Sequence, residues 1–420
     1  MALEISAAVP GPALLDLPWP IPLEEWSPEH LAALPRGISR HVVRFVRLSD
    51  QVIAVKEIKA DIAVREYNLL RFLKKIGQPC VQPFGVVTGR TTKDGEELDA
   101  CLLTSHLQFS LPYRALFSQN LRPHTAQRLI DALAVLLVRL HLAGFWWGDV
   151  SLSNTLFRRD AGAFAAYLVD AETGEIHTHL SDGQREHDLE IGRVNIAGEL
   201  MDLAAGGFLA ATADPIEISQ SIVDRYRSLW RELTEQERFE KGCRWRVDER
   251  IRRLNDLGFD VGELAISTDI GGATIQIRPK VVDAGYHSRR LLRLTGLDVE
   301  ENQARRLLND LDAFRASECR QNDDEAIAAH DWVSRVYEPV TRAVPRHLTR
   351  KLEPAEVFHE VLEHRWYMSE KAGHDITIED AITNYIRHVL PGKPDEAAVL
   401  GLDTLEAPAA AMPSGMKQPR

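Results

Sequence analysis

The stretch FWWGDVSLSNTLF, residues 145–157, decides how the rest of the chain is read. Asp149 stands five residues before Asn154, straight after an apolar helical pattern and straight before a run with hairpin character. Either the pair carries chemistry or Asp149 caps a turn. The flanking sequence has to separate the two.

Upstream, TAQRLIDALAVLLVRLHLAG is apolar around most of a helical circumference, through Leu129, Leu133, Leu136, Leu137 and Leu140, which predicts a buried helix. Downstream, TLFRRDAGAFAAYLVD predicts a hairpin turning at RDAG, with Asp170 ending its second strand. Nearer the N-terminus, HVVRFVRL and VIAVKEI are β-branched runs separated by SDQ, an antiparallel hairpin that carries Lys56. The next segment, DIAVREYNLLRFLKKIG, is expected to be a helix capped at Asp61 and stopped at Gly77. Its Ile62, Leu69, Leu70, Leu73 and Ile76 share a face on which Glu66 also falls. A carboxylate there needs a partner. Lys56 is the nearest in sequence; a surface lysine beside a boundary glutamate is the bland alternative.

In this order and context, Lys56, Glu66, Asp149, Asn154 and Asp170 resemble the core of the protein-kinase-like superfamily. The REYNLL helix, LHLAG, WGDVSLSN and the short segment after the hairpin are most similar to its lipopolysaccharide kinase branch, over about residues 31–230. The resemblance implies an α+β, bilobal fold, with a small β-rich lobe over 31–107 and a larger helical lobe over 108–230. It implies ATP and magnesium. Lys56 would hold the α and β phosphates and Glu66 would fix Lys56; Asp149 would accept the proton of an acceptor hydroxyl; Asn154 and Asp170 would ligate the metal. The adenine edge is expected at Thr104 to Leu107, a stretch that reads equally as an ordinary edge strand.

The chain also departs from the pattern. LPRGISRHVV offers Gly37 alone where two or three glycines would cover phosphates; Ser39, Arg40 and nearby N–H groups are the candidates to help, and Gly37 reads equally as a turn residue. Trp147 and Gly148 replace the usual histidine and arginine. A glycine before the aspartate is common in small-molecule and sugar kinases resembling this fold. DAE at 170–172 replaces DFG, and no APE segment or long activation loop is recognisable, so neither a Phe-driven switch nor loop phosphorylation is expected. Asp188 either braces the loop or lies on the surface, and His141 is expected to be structural. His359 and His364 in HEVLEH are five apart, unlike the zinc-binding HExxH, so Glu–His contacts four apart on the helix surface are expected instead.

Composition narrows the partners. At 420 residues two or three domains are expected. The net charge of −12 argues against general nucleic-acid or membrane-surface binding. Cys80, Cys101, Cys243 and Cys319 form no CxxC pair, which disfavours zinc or a disulfide framework and fits a reducing cytoplasm. Glu4 and the prolines of MALEISAAVPGPALLDLPWPIP do not suit a signal peptide, and no apolar run reaches membrane-span length, so a cytoplasmic protein is expected. Residues 1–30, with Trp19 and Trp26, read as a Pro-rich arm packing on a domain, and 396–420 as a disordered tail.

The block 231–395 is mostly helical with a hairpin around DIGG, and resembles an uncharacterised bacterial domain that follows such kinase-like modules. HSRRLLRLTG and VEENQARRLLNDLDAFR, joined at Thr295 and Gly296, have helix-turn-helix spacing. Asp298, Glu300 and Glu301 would meet phosphates unfavourably, so nucleic acid is disfavoured and a helical hairpin packed on the hairpin sheet is expected. Arg278, Lys280, His287, Arg289, Arg290 and Arg293 concentrate charge suited to an acidic protein, an anionic ligand or the acidic face of the neighbouring lobe. Two readings of function follow. One is a phosphotransferase to a hydroxyl of a sugar, lipid-linked saccharide or other small molecule. The other is a kinase-shaped protein that senses nucleotide or binds a partner without efficient transfer.

Overall fold

The computed structural model describes residues 2–8, 11–32, 41–48, 51–117, 123–211, 213–240, 245–256, 258–268, 274–318 and 324–397. Gly37, Ser39, Arg40, Cys243, Cys319 and the end of the chain from 398 lie outside them. The small lobe is a five-stranded antiparallel sheet, built from β1 (Glu4–Ala7), β2 (Val42–Leu48), β3 (Gln51–Ile58), β4 (Pro83–Thr88) and β5 (Ala100–Ser105), in the order β1-β4-β5-β3-β2. Lys56 lies in central β3, opposite Val43 and Leu102. Helix α1 (Ala60–Lys75) packs on β4 and β5. It starts one residue before Asp61, with Lys59 at the cap and no side-chain bond there, so Asp61 acts as a first-turn charge on the helix dipole and not as the expected cap. Gly77, at φ +72, ends the helical segment in a conformation that suits glycine.

The Pro-rich arm is part of this lobe. Its β1 adds an edge strand, and Leu14, Trp19, Leu23 and Trp26 are buried with Val55, Phe84 and Leu103 on the sheet. Both indole N–H groups are satisfied by arm carbonyls, Trp19 by Leu14 at 2.7 Å and Trp26 by Ile21 at 3.1 Å. Arg90, fully buried, links arm to sheet: it donates to the carbonyls of Trp19, Ile21 and Asp99 and to the Glu57 carboxylate at 2.5 Å.

The large lobe starts with β6 (Ser110–Pro112), α2 (Tyr113–Leu116) and α3 (Pro123–Leu142), whose leucines 129, 133, 136, 137 and 140 are all buried. Then come β7 (Phe145–Trp146), β8 (Thr155–Asp160), β9 (Ala163–Leu168), β10 (Glu175–Ile176), α4 (Asp182–Ala205) and α5 (Pro215–Thr234). β8 and β9 pair from Thr155 opposite Leu168 to Asp160 opposite Ala163, with Ala161 (φ 48) and Gly162 (φ 82) both left-handed in the two-residue turn. β7 pairs with β10, which pins the short stretch after the hairpin.

The C-terminal block contains β11 (Glu237–Glu240), α6 (Trp245–Asp256), β12 (Phe259–Thr268) and β13 (Thr274–Ala284), then α7 (Tyr286–Thr295), α8 (Glu301–Ser317), α9 (Glu325–Trp332), α10 (Glu338–Arg342), α11 (Pro354–Ala372) and α12 (Ile378–His388). Leu254 and Phe259 belong to the large-lobe core, whereas a separate core gathers Leu291, Leu307, Leu311, Trp332, Phe358 and Tyr385. The cores therefore change over between Phe259 and Leu291. The α7–α8 hairpin buries its apolar stripe against α9 and α11, not chiefly against the hairpin sheet as expected. Arg290 pairs with Glu325 at 2.5 Å and His287 with Glu301 at 2.8 Å, so these members of the basic cluster are answered within their own domain. Arg278 and Lys280 lie on β13, and their side chains are outside the described set.

Of the Glu–His contacts expected four apart in HEVLEH, His359–Glu363 forms, whereas Glu360 and His364 turn to other partners. His359 is buried, 3.7 Å from Glu363, while Glu360 bonds Tyr385 and Lys393 and His364 bonds Asn384. Among the described residues no helix is long and apolar enough to cross a membrane.

Arg90→Ala would remove the guanidinium that pairs with Glu57 and the donor to the carbonyls of Trp19, Ile21 and Asp99, leaving Glu57 only the Leu23 N–H and Ile21 only the Trp26 indole. It is expected to cost about 3–5 kcal/mol in urea unfolding and to make the arm the first site of proteolysis. A loss under about 1 kcal/mol would show that the arm is held by its tryptophans alone.

Candidate active site

Lys56 is where the lobes meet. Its ammonium donates to Glu66 of α1 at 3.1 Å, to Asp170 at 2.7 Å and to Glu172 at 3.1 Å. Glu66 is 1% exposed and also accepts the N–H of Ala171 at 3.2 Å. Burial works against the lysine charge, but Glu66 and Asp170 outweigh it and hold the pKa of Lys56 above its ordinary value. Burial, with the Asp170 charge adding to it, pushes Glu66 above the usual carboxylate range, and Lys56 opposes that shift. One ammonium faces three carboxylates, so the site carries excess negative charge.

The opening stretch forms a loop held from beneath by one face of α4. Asp188, fully buried, accepts the N–H of Trp147 at 2.9 Å and of Gly148 at 2.8 Å and is bonded to His141 at 3.1 Å. His141 in turn reaches the Tyr226 hydroxyl at 2.7 Å. Gly148 has φ +74, which is why glycine stands before the aspartate, and the Trp147 indole donates to the Asp170 carbonyl at 2.9 Å. Asn195 donates to an Asp149 carboxylate oxygen and to the Val150 carbonyl, both at 3.2 Å. Glu199 accepts from Leu152 at 2.7 Å and from Ser153 at 2.9 Å. Asp188, Gly192, Asn195 and Glu199 recur at four, three and four residues, a helical stripe that meets the loop from Trp147 to Ser153.

Asn154 donates to the other Asp149 oxygen at 3.1 Å, and its carbonyl accepts Val169 N–H at 3.0 Å, which closes the base of the β8–β9 hairpin. Asn154 and Asp170 therefore flank one hairpin, and Asp149 lies between the amides of Asn154 and Asn195. Thr104 lies within β5, opposite Ala54 and Pro83, so it is a central strand residue and not on an edge.

Three contributors escaped the sequence reading. Glu172 was legible only as a departure from DFG, yet it bonds Lys56 and also His41 of the small lobe at 3.0 Å. Asn195 and Glu199 were legible as polar residues in register with Asp188 on a helix whose neighbouring positions are apolar.

Two glycines of α4 give opposite expectations. A Cβ on Gly192 would meet the buried Val150 side chain at 2.8 Å, whereas one on Gly198 meets nothing within 4 Å. Gly192→Ala is expected to destabilise by about 1–3 kcal/mol despite better helix propensity. Gly198→Ala is expected to stabilise by about 0.5–1 kcal/mol. Equal shifts in the urea midpoint of the two variants would contradict the close approach of loop and helix.

Residues 47–193 match the model of the lipopolysaccharide kinase (Kdo/WaaP) family, and residues 228–390 that of a domain of unknown function, DUF4032. No curated protein matches the chain. A solved structure described as WaaP in complex with acyl carrier protein aligns over 61% of this chain and 99% of its own, at 16% identity and a TM-score of 0.35. By sequence, then, one segment of the chain is similar to lipopolysaccharide kinases and a later one to a domain of unknown function.

Proposed function

We propose that the bilobal module is an ATP- and magnesium-dependent phosphotransferase acting on a hydroxyl of a sugar, a lipid-linked saccharide or another small molecule. The observation that carries it is the joint placement of a paired Lys56 and a loop carboxylate, Asp149, around the hairpin that bears Asn154 and Asp170. The match of residues 47–193 to a lipopolysaccharide kinase family supports a saccharide acceptor.

The donor set fits a divalent cation. Carboxylate oxygens of Glu66, Asp170 and Glu172 lie within 4.8 Å of one another, and hard oxygen donors suit magnesium. Asp170 and Asn154 would hold the ion, with Glu172 beside them. Magnesium, when bound, neutralises phosphate charge and lowers the cost of bringing an anionic donor to this acidic site.

The chain's own residues do the rest. Lys56, kept charged by Glu66, exchanges a carboxylate for phosphate oxygens of the donor. Asp149, fixed by Asn154 and Asn195, orients the acceptor hydroxyl and takes its proton as the oxygen attacks. The Asp188 bonds to Trp147 and Gly148 keep the loop from relaxing when the acceptor enters.

A second reading, nucleotide sensing without efficient transfer, is favoured by one observation: Glu172 and His41 already engage each other at the Lys56 ammonium. The two are separated by turnover. The phosphotransferase is expected to gain thermal stability from ATP only with magnesium, to lose that gain in Asp170→Ala, and to keep nucleotide binding in Asp149→Ala while turnover falls about 10²–10⁴-fold. Binding with no difference in turnover between wild type and Asp149→Ala favours the sensor. No nucleotide binding at millimolar ATP rejects both. Transfer of labelled phosphate into fractionated cell extract, against Asp149→Ala, identifies the acceptor.

A further inference from the structure

The C-terminal domain grips the β8–β9 hairpin at its tip. Asp160, the last residue of β8, is buried and accepts the Gln303 backbone N–H at 2.7 Å and the Asn302 side-chain N–H at 2.8 Å. A carboxylate of the large lobe thus satisfies the first turn of α8 in another domain. The contact is returned: Glu356 of α11, 3% exposed, accepts the N–H of Ala161 in the left-handed turn at 2.9 Å and the Gln303 side-chain N–H at 3.1 Å. Lower on the hairpin Glu300 accepts from Arg158 of β8 at 2.8 Å and from Tyr167 of β9 at 2.6 Å, so one carboxylate ties the two strands.

Burial, and then the Glu300 charge, push the Asp160 carboxyl up to about 7. Charged groups taken out of water in this way are a poor source of stability, but when every one is partnered they fix relative position. The other end of the same hairpin carries Asn154 before β8 and Asp170 after β9, joined by the Val169 to Asn154 bond at 3.0 Å. Between the two ends the strands are paired without a bulge. A two-stranded ribbon held at one end by the C-terminal domain therefore sets the separation of two site residues at the other.

We infer that the C-terminal domain is a working part of the site: through the β8–β9 hairpin it positions Asn154 and Asp170, with Glu356 and Gln303 as positioning residues that touch neither donor nor acceptor. The inference deepens the phosphotransferase reading and takes its functional meaning from it. It gives the domain of unknown function a task in this chain, and a route by which events in that domain reach the metal pair.

The test is amide hydrogen exchange on the full chain, comparing wild type, Glu356→Ala and Glu356→Gln. Glutamine keeps an acceptor for Ala161 and is the rescue. Exchange in Glu356→Ala is expected to rise about tenfold both at the tip and at the far end, over Asn154 to Thr155 and Val169 to Ala171, to stay at wild-type rates in α3, and to return towards wild type in Glu356→Gln. A rise confined to Asp160–Gly162 and the C-terminal domain overturns the inference, and so does a uniform rise that reports only lost global stability. Should Glu356→Ala not fold, Tyr167→Phe removes one bond of the grip without changing shape and is judged by the same pattern, with a rise of about threefold. Exchange needs neither nucleotide nor metal. Manganese binding by the wild-type chain in the presence of an ATP analogue decides the phosphotransferase reading separately.

Discussion

The placement of Lys56 among Glu66, Asp170 and Glu172 is the constraint on which the rest of the arrangement depends. Its carboxylates come from the helix of the small lobe and from the strand end of the large lobe, so a single ammonium joins elements far apart in sequence. Removing any partner leaves a charge at a poorly hydrated position, which is costly, while the complete set is close to neutral in its effect on stability. Such a group is better explained by what it can exchange than by what it stabilises. Phosphate oxygens can replace carboxylate oxygens on the lysine, and a divalent ion can compensate the carboxylates that are released.

A second constraint comes from α4. Most amphipathic helices turn an apolar stripe towards the core, but this one presents Asp188, Gly192, Asn195 and Glu199 to the loop of residues 147–153. Each polar member answers backbone N–H or C=O groups that a loop would otherwise leave unpaired, and Gly192 lets Val150 seat against the helix. The backbone groups of the loop are consequently paired, as they would be in an element of secondary structure. Asp149 is held on this loop by Asn154 and Asn195, which suits its proposed role of meeting a hydroxyl in one orientation.

Much of this was legible beforehand, and the reasons are local. Lys56 and Glu66 are readable because a carboxylate on an apolar helix face demands a cation, Asp149 and Asn154 because their five-residue offset between a buried helix and a hairpin resembles a kinase catalytic loop, and Asp170 because it ends that hairpin. The cap lies two residues before Asp61, at Lys59; a dipole-favouring carboxylate and a capping one look alike in sequence. Glu172 was hidden because its partners, Lys56 and His41, are more than a hundred residues away. The grip of the C-terminal domain on Asp160 and Ala161 was hidden for the same reason: RDAG reads as a solvated turn, and only the packed domains show that its polar groups are taken by Gln303 and Glu356. Sequence patterns report on neighbours along a helix or strand; they do not report on carboxylates brought together by tertiary contact.

The basic cluster teaches the converse. Arg290 and His287 suggested a surface for an outside partner, yet Glu325 and Glu301 meet them inside the domain. In the proposed phosphotransferase, Lys56 is held ready for phosphate by Glu66, Asp170 and Glu172, and Asp170 also holds magnesium. A crystal structure of the full chain with magnesium and a non-hydrolysable ATP analogue tests it most directly. The Lys56 ammonium is expected to leave Glu172 for a phosphate oxygen while keeping Glu66, with Asn154 and Asp170 on the ion at about 2.0–2.1 Å. Phosphates bound elsewhere, with Lys56 still on Glu172 and Asp170, would contradict it.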